Sequence, residues 1–179
     1  MANAFQERKL RGMFTAFDAD GDGYLREDDF RALVARWRQL SAAGPGTELG
    51  ARMESLLMAW WAALLEVGDA NGDGGVDMSE LLALVDKLPA MVASVTATAD
   101  TVFEAVDADG DGRISADEHR RLVETWNGRS ADVAGVFELL DLNGDGQLSR
   151  EEFGTLWRQF WISDDPAAPG NVLCGRLPA

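Results

Sequence analysis

Four twelve-residue stretches of this 179-residue chain repeat one pattern of oxygen-bearing side chains, so any fold must gather the members of each stretch around a single point. The clearest reads DADGDGRISADE, over 107–118. Acids stand at its positions 1, 3, 5 and 12 (Asp107, Asp109, Asp111, Glu118), glycine at 6 (Gly112) and an aliphatic at 8 (Ile114). The others are DADGDGYLREDD over 18–29, DANGDGGVDMSE over 69–80 and DLNGDGQLSREE over 141–152. One acidic Asp-Gly turn is a common solvated loop; four copies in one register are not.

A hard cation of calcium size takes roughly six to eight oxygens at about 2.3–2.6 Å, and this spacing supplies them. Side chains at 1, 3 and 5 give three, the backbone carbonyl of 7 a fourth, and a carboxylate at 12 closes the shell with both oxygens, while position 9 acts through water. This is the calcium loop of an EF-hand. The predicted ligands are Asp18, Asp20, Asp22, Tyr24 and Asp29 in the first loop, and Asp69, Asn71, Asp73, Gly75 and Glu80 in the second. In the third they are Asp107, Asp109, Asp111, Arg113 and Glu118, and in the fourth Asp141, Asn143, Asp145, Gln147 and Glu152. Up to four calcium ions are expected. Four divalent ions would bring the formal charge from −15 to −7, so binding should stabilise the fold.

An excess of 31 acids over 16 bases argues against a nucleic-acid groove. No apolar run reaches the roughly 20 residues of a membrane span, the first residues lack a secretory apolar core, and Ala2 stands where myristoylation needs glycine. The single cysteine, Cys174, permits no internal disulfide and reads as a tail thiol, so a cytoplasmic location is expected.

Helical periodicity flanks each loop. The first entering helix is expected over about 4–17, and Phe30, Leu33, Val34, Trp37 and Leu40 mark its exit helix, with a break over 41–46. A long apolar helix over about 47–67 carries Trp60 and Trp61, which cannot share one face, so it should be buried on more than one side. Its exit helix runs over 78–88 and stops at Pro89. Val95, Ala99, Val102, Phe103 and Val106 lead into the third loop; Leu122, Val123 and Trp126 lead out, to a stop at Asn127-Gly128. Val133, Val136, Phe137 and Leu140 enter the fourth, and Phe153, Leu156, Trp157, Phe160 and Trp161 leave it. The six tryptophans read as core rather than a cofactor box. The tail has three prolines and no regular helix, and Val172, Leu173 and Leu177 should hold it against the surface. Leu25, Val76, Ile114 and Leu148, all at position 8, should bridge the first loop to the second and the third to the fourth. The expected fold is all-α: four EF-hands in two pairs (1–89 and 90–162) packed into one globule, with short antiparallel β bridges between paired loops and a tail over 163–179.

The loops are not equivalent. Ser115 with Glu118 and Ser149 with Glu152 are spaced as helix capping boxes, and Asp77 with Glu80 is close to one. The first loop has Arg26 at that position and ends in Asp29, one methylene shorter than glutamate. A monodentate ligand at 12 suits six-coordinate magnesium, so this site is expected to be weak for calcium or to hold magnesium. His119, the only histidine, reads as a partly exposed helix residue rather than a ligand or a base.

Loop starts at 18, 69, 107 and 141 leave gaps of 51, 38 and 34 residues, unlike the even gaps of calmodulin-like chains. With the apolar second gap and the ending from Phe160 through SDDPAAPGN to Leu177, the chain resembles the sarcoplasmic calcium-binding proteins and their actinobacterial, calerythrin-type relatives. The resemblance implies two face-to-face EF-hand pairs and a cytosolic, non-enzymatic calcium buffer, here expected to be a monomer. A calcium sensor regulating a protein target is the alternative, although all six methionines (Met1, Met13, Met53, Met58, Met78, Met91) precede residue 92 and leave the C-terminal half without that adaptable surface. A photoprotein-like ligand carrier is the third class; its chemistry relies on several buried histidines.

Overall fold

A computed structural model describes residues 4–40, 43–84, 87 and 96–177. The first hand is α1 (Ala4–Phe17), a loop carrying β1 (Tyr24–Leu25), and α2 (Glu27–Trp37). The second is α3 (Glu48–Gly68), β2 (Val76–Asp77) and α4 (Met78–Ala83). The third is α5 (Ala99–Val106), β3 (Arg113–Ile114) and α6 (Ala116–Asn127); the fourth is α7 (Phe137–Leu140), β4 (Leu148–Ser149) and α8 (Arg150–Ile162). Pro89 and Val95, with the end expected for the second exit helix, lie outside the described residues, as do Ser41 and Ala42.

Helix boundaries follow local chemistry. Thr47 starts α3 by accepting from the Gly50 amide, 2.9 Å away. At the far end of α6, Gly128 takes the left-handed conformation (φ 67°), and a side chain there would also collide with the Arg36 guanidinium. The fourth entering helix is a single turn because Gly135, at φ 69°, breaks it before Phe137, although Val136 and Leu140 reach the core as expected.

The position-8 residues pair as predicted. Leu25 lies opposite Val76 and Ile114 opposite Leu148 in two antiparallel two-residue bridges, and all four side chains have no exposure. Each bridge fixes two loops back to back, so one hand of a pair cannot shift without its partner.

Between the pairs the core is aromatic. Phe17 of α1 meets Trp126 of α6 at 4.9 Å between ring centres; Trp126 meets Trp157 of α8 at 6.1 Å, and Trp157 meets Trp60 of α3 at 6.2 Å. Trp61 faces another way, against Phe30 at 5.4 Å. The adjacent tryptophans therefore bury α3 on two sides. Burying each large side chain contributes about 1.5–3 kcal/mol, so this cluster outweighs any of the half-exposed ion pairs at the surface.

The tail packs deeper than the sequence implies. After α8 the chain forms a short 3-10 turn (Pro169–Val172), and Leu173 is fully buried. Gly170 N donates to Gln159 Oε1 (2.9 Å) and Asn127 Nδ2 to the Cys174 carbonyl (3.0 Å). Lys9 of α1 donates to the Gln159 and Ser163 carbonyls (3.3 and 3.2 Å) and to Asn171 Oδ1 (3.1 Å). One side chain thus caps the end of α8 and ties the first helix to the tail.

His119 departs from expectation. It is fully buried, not partly exposed, and its Nε2 lies 2.9 Å from the Leu173 carbonyl. That oxygen only accepts, so Nε2 carries the proton and the buried Nδ1 is left without a partner. Burial pushes the imidazole pKa down, against the opposing effect of this hydrogen bond. The periodicity of α6 placed His119 beside Leu122 and Val123; what covers it comes from a tail 54 residues further on.

Candidate metal centres

All four loops adopt one backbone. The position-1 carboxylate accepts three amides from positions 4, 5 and 6. For Asp107 these are Gly110 (2.9 Å), Asp111 (3.2 Å) and Gly112 (3.0 Å); Asp18, Asp69 and Asp141 repeat the set. Position 3 accepts from the amide of 5, as Asn71 does from Asp73 (2.8 Å) and Asp20 from Asp22 (3.1 Å); Asp109 and Asn143 repeat it. Position 5 accepts from the amide of 7: Asp22 from Tyr24, Asp73 from Gly75, Asp111 from Arg113 and Asp145 from Gln147, all at 2.8–3.0 Å. Turned inward in this way, the side chains keep their remaining lone pairs for a cation. Glycines at positions 4 and 6 have positive φ in every loop, for example 71° at Gly110 and 80° at Gly112. The position-4 glycine is a repeated signal that the ligand pattern alone passes over.

The position-12 carboxylate closes each loop. Glu118 Oε1 accepts from Ala108 N (2.9 Å) and Oε2 from Ser115 N (2.8 Å) and Ser115 Oγ (2.8 Å). Burial pushes its pKa up, but the bonds from Ser115, Ala108 and Asp109 outweigh that and hold the carboxyl below its ordinary value. Glu80 bridges Ala70 N and Asp77 N, and Glu152 bridges Asn143 N and Ser149 N. The three capping boxes are complete, since Asp77, Ser115 and Ser149 accept in return from Glu80, Glu118 and Glu152.

Asp29 makes the same bridge despite its shorter side chain, from Ala19 N (2.9 Å) to Arg26 N (2.8 Å), and is buried. Oxygens of Asp18, Asp20 and Asp29 fall within 4.8 Å of one another, as do those of Asp107, Asp109 and Glu118. The first loop is therefore formed. It differs in what surrounds it: Arg26 has no acceptor to return the cap, and its guanidinium pairs with Asp22 while lying 4.5 Å above the Tyr24 ring. In the other pair, Arg113 of the third loop crosses to Asp145 of the fourth at 3.0 Å. Neither contact is visible in ligand spacing. A hard, oxygen-only donor set of this kind suits calcium or magnesium and offers no soft ligand for a transition metal. Among the described residues no helix is long and apolar enough to cross a membrane.

Comparison with known proteins agrees with this chemistry. The chain matches an EF-hand domain pair family over residues 96–158, a second EF-hand domain pair family over 1–36 and an EF hand family over 62–85. It is 26% identical over 188 aligned positions to sarcoplasmic calcium-binding proteins II, V, VI and VII of Branchiostoma lanceolatum, covering 98% of this chain and 99% of that protein. An amphioxus sarcoplasmic calcium-binding protein structure superposes with a TM-score of 0.74 at 24% identity, covering 99% of this chain and 100% of that one. A Streptomyces coelicolor calcium-binding protein, described in terms of prokaryotic calcium-mediated regulation, superposes with a TM-score of 0.71 at 24% identity, over 87% and 96% of the two chains. With four calcium loops, two loop bridges and EF-hand matches over 1–36, 62–85 and 96–158, the chain is an EF-hand protein, similar from end to end to the sarcoplasmic calcium-binding proteins, a non-enzymatic family.

Proposed function

We propose that this protein is a cytoplasmic, monomeric calcium buffer that binds up to four divalent ions, with the first loop weak for calcium or occupied by magnesium. The ligands are those predicted at positions 1, 3, 5, 7 and 12 of each loop, the position-7 residues Tyr24, Gly75, Arg113 and Gln147 acting through their carbonyls. The pairs divide at about residues 89 and 90, and residues 163–179 form the cover. In the first loop Arg26 places a positive charge on Asp22, a ligand, and so opposes any incoming cation.

The observation that carries the buffer reading is the seated tail. Leu173 is fully buried, His119 and Asn127 of α6 bond the tail's carbonyls, and the tryptophans fill the space between the pairs. A sensor must offer an apolar groove to its target on binding calcium; here opening would first have to displace the tail and expose the aromatic core. The dye ANS should bind the calcium-free form at least as well as the calcium form, and deletion after Ser163 should create dye binding in the calcium form. Strong calcium-dependent dye binding by the intact chain would overturn the buffer in favour of a sensor. Calorimetric titration of stripped protein with calcium, with and without millimolar magnesium, gives the number and selectivity of the sites.

The sensor reading is favoured by two observations. One is the likeness to the S. coelicolor protein described for calcium-mediated regulation. The other is the exposure of Leu139 just before the fourth loop and Leu142 within it. The dye experiment separates the two readings.

A further inference from the structure

Lys9 is a buried cation, only 9% exposed, whose ammonium meets three neutral acceptors and no carboxylate. It borders a cleft of about 240 Å³ between α1, the end of α6, α8 and the tail. Arg129 and Arg176 line the same cleft, and among the described residues no acidic side chain does, in a chain with 31 acids and 16 bases.

We propose that this cleft binds a small organic anion: a carboxylate carried on a single aromatic ring, at a place separate from the calcium loops. Lys9 has committed its three protons to Gln159, Ser163 and Asn171, so it contributes charge rather than a donor. The donors are the arginines. Among the described residues Arg129 has no partner, and Arg176 uses one nitrogen on the Ala134 carbonyl (2.8 Å), which leaves guanidinium edges of the planar shape that matches a carboxylate. Met13, Trp126 and Phe160 supply the apolar wall for a ring.

Groups that would repel an anion are already engaged. The Trp126 carbonyl at the end of α6 accepts from Arg36 (3.2 Å), the Cys174 carbonyl from Asn127, and the α8 carbonyls from Lys9. The Cys174 thiol is held protonated by burial, which raises its pKa well above the ordinary value, so it adds no negative charge. Nothing in this argument depends on whether the loops buffer or signal.

The test is a titration of the full-length, calcium-loaded protein with phenylacetate, followed by amide and indole NMR shifts. Saturable one-to-one shifts at Trp126, Asn127 and Gly175, with the four loops unmoved, are the expected result. Acetate, which lacks the ring and its apolar burial, and 2-phenylethylamine, which reverses the charge and loses the charge-assisted hydrogen bonds, should each bind at least about tenfold more weakly. The double variant Arg129→Glu, Arg176→Glu should lose a similar factor while keeping its calcium stoichiometry; Arg129→Gln, Arg176→Gln is the milder version should charge reversal impair folding. No saturable shift with phenylacetate, shifts confined to the calcium loops, equal binding of 2-phenylethylamine, or unchanged affinity in a folded double variant would each overturn the proposal.

Discussion

The two EF-hand pairs share a loop backbone and differ in how each loop is joined to its exit helix. In the second pair both joints are serine–glutamate boxes, in which the serine hydroxyl also donates to the closing glutamate, and Arg113 ties one loop to the other through Asp145. In the first pair only the second loop has a complete box; the first closes through Asp29, with Arg26 turned back onto Asp22 of its own loop. The second pair thus closes both loops through complete boxes, and each pair has one position-5 aspartate held by an arginine, Asp145 from the neighbouring loop and Asp22 from its own. Identical ligand spacing is compatible with unequal sites because what differs is the neighbour of each ligand.

The largest expected effect is at the closing position of the well-joined pair. Glu152→Gln removes a charge from a ligand meant to bind with both oxygens, and should weaken calcium at the fourth loop by on the order of 100-fold, while Asp29→Asn should cost the first loop only about tenfold. Calorimetry reads both, and equal losses would break the contrast between the pairs. Next comes the tail anchor on the second pair. The folded-state pKa of His119 lies below its unfolded value, so its contribution to stability is complete above the ordinary histidine pKa of about 6.5 and is lost as pH falls through the folded value. His119→Phe should flatten the acid side of a thermal-stability profile at a cost of roughly 1–2 kcal/mol at neutral pH, and an unchanged slope would show that the carboxylates alone set it. Asp29→Glu should raise calcium affinity at the first loop by roughly tenfold and reduce any preference for magnesium; unaltered selectivity would move the cause to Arg26. The smallest change is expected from Arg26→Ser. It restores a cap acceptor and frees Asp22, for about 0.5–1 kcal/mol of stability and a few-fold gain in calcium affinity, because an ion pair this exposed is weak.

Where function dictates spacing, sequence was sufficient. The loops follow from an oxygen shell that tolerates little variation, and the facing of Leu25 on Val76 and Ile114 on Leu148 from the aliphatic at position 8 and the order of the loops. The start of α6 at Ala116 and of α8 at Arg150 was likewise legible, since Ser115 and Ser149 act within their own turn. Contacts between distant segments were not. The alternation along α6 could not reveal that Leu173 covers His119, nor that Lys9, on a helix of mixed polarity, closes over carbonyls of α8. Nor does the spacing show that the Arg26 guanidinium lies over the Tyr24 ring while it pairs with Asp22.

The three bonds of Lys9 also bear on the order of events when the chain is made. A calcium loop closes on itself within twelve residues, whereas Lys9 meets partners 150, 154 and 162 positions away. The loops therefore belong to the fast, local stage of folding and the Lys9 closure to a later one, because it cannot form until residues 159–171 have left the ribosome. Until then the first loop can form but α1, which leads into it, lacks its final seat, and an ion captured early would be held by a hand that the rest of the molecule has not yet locked.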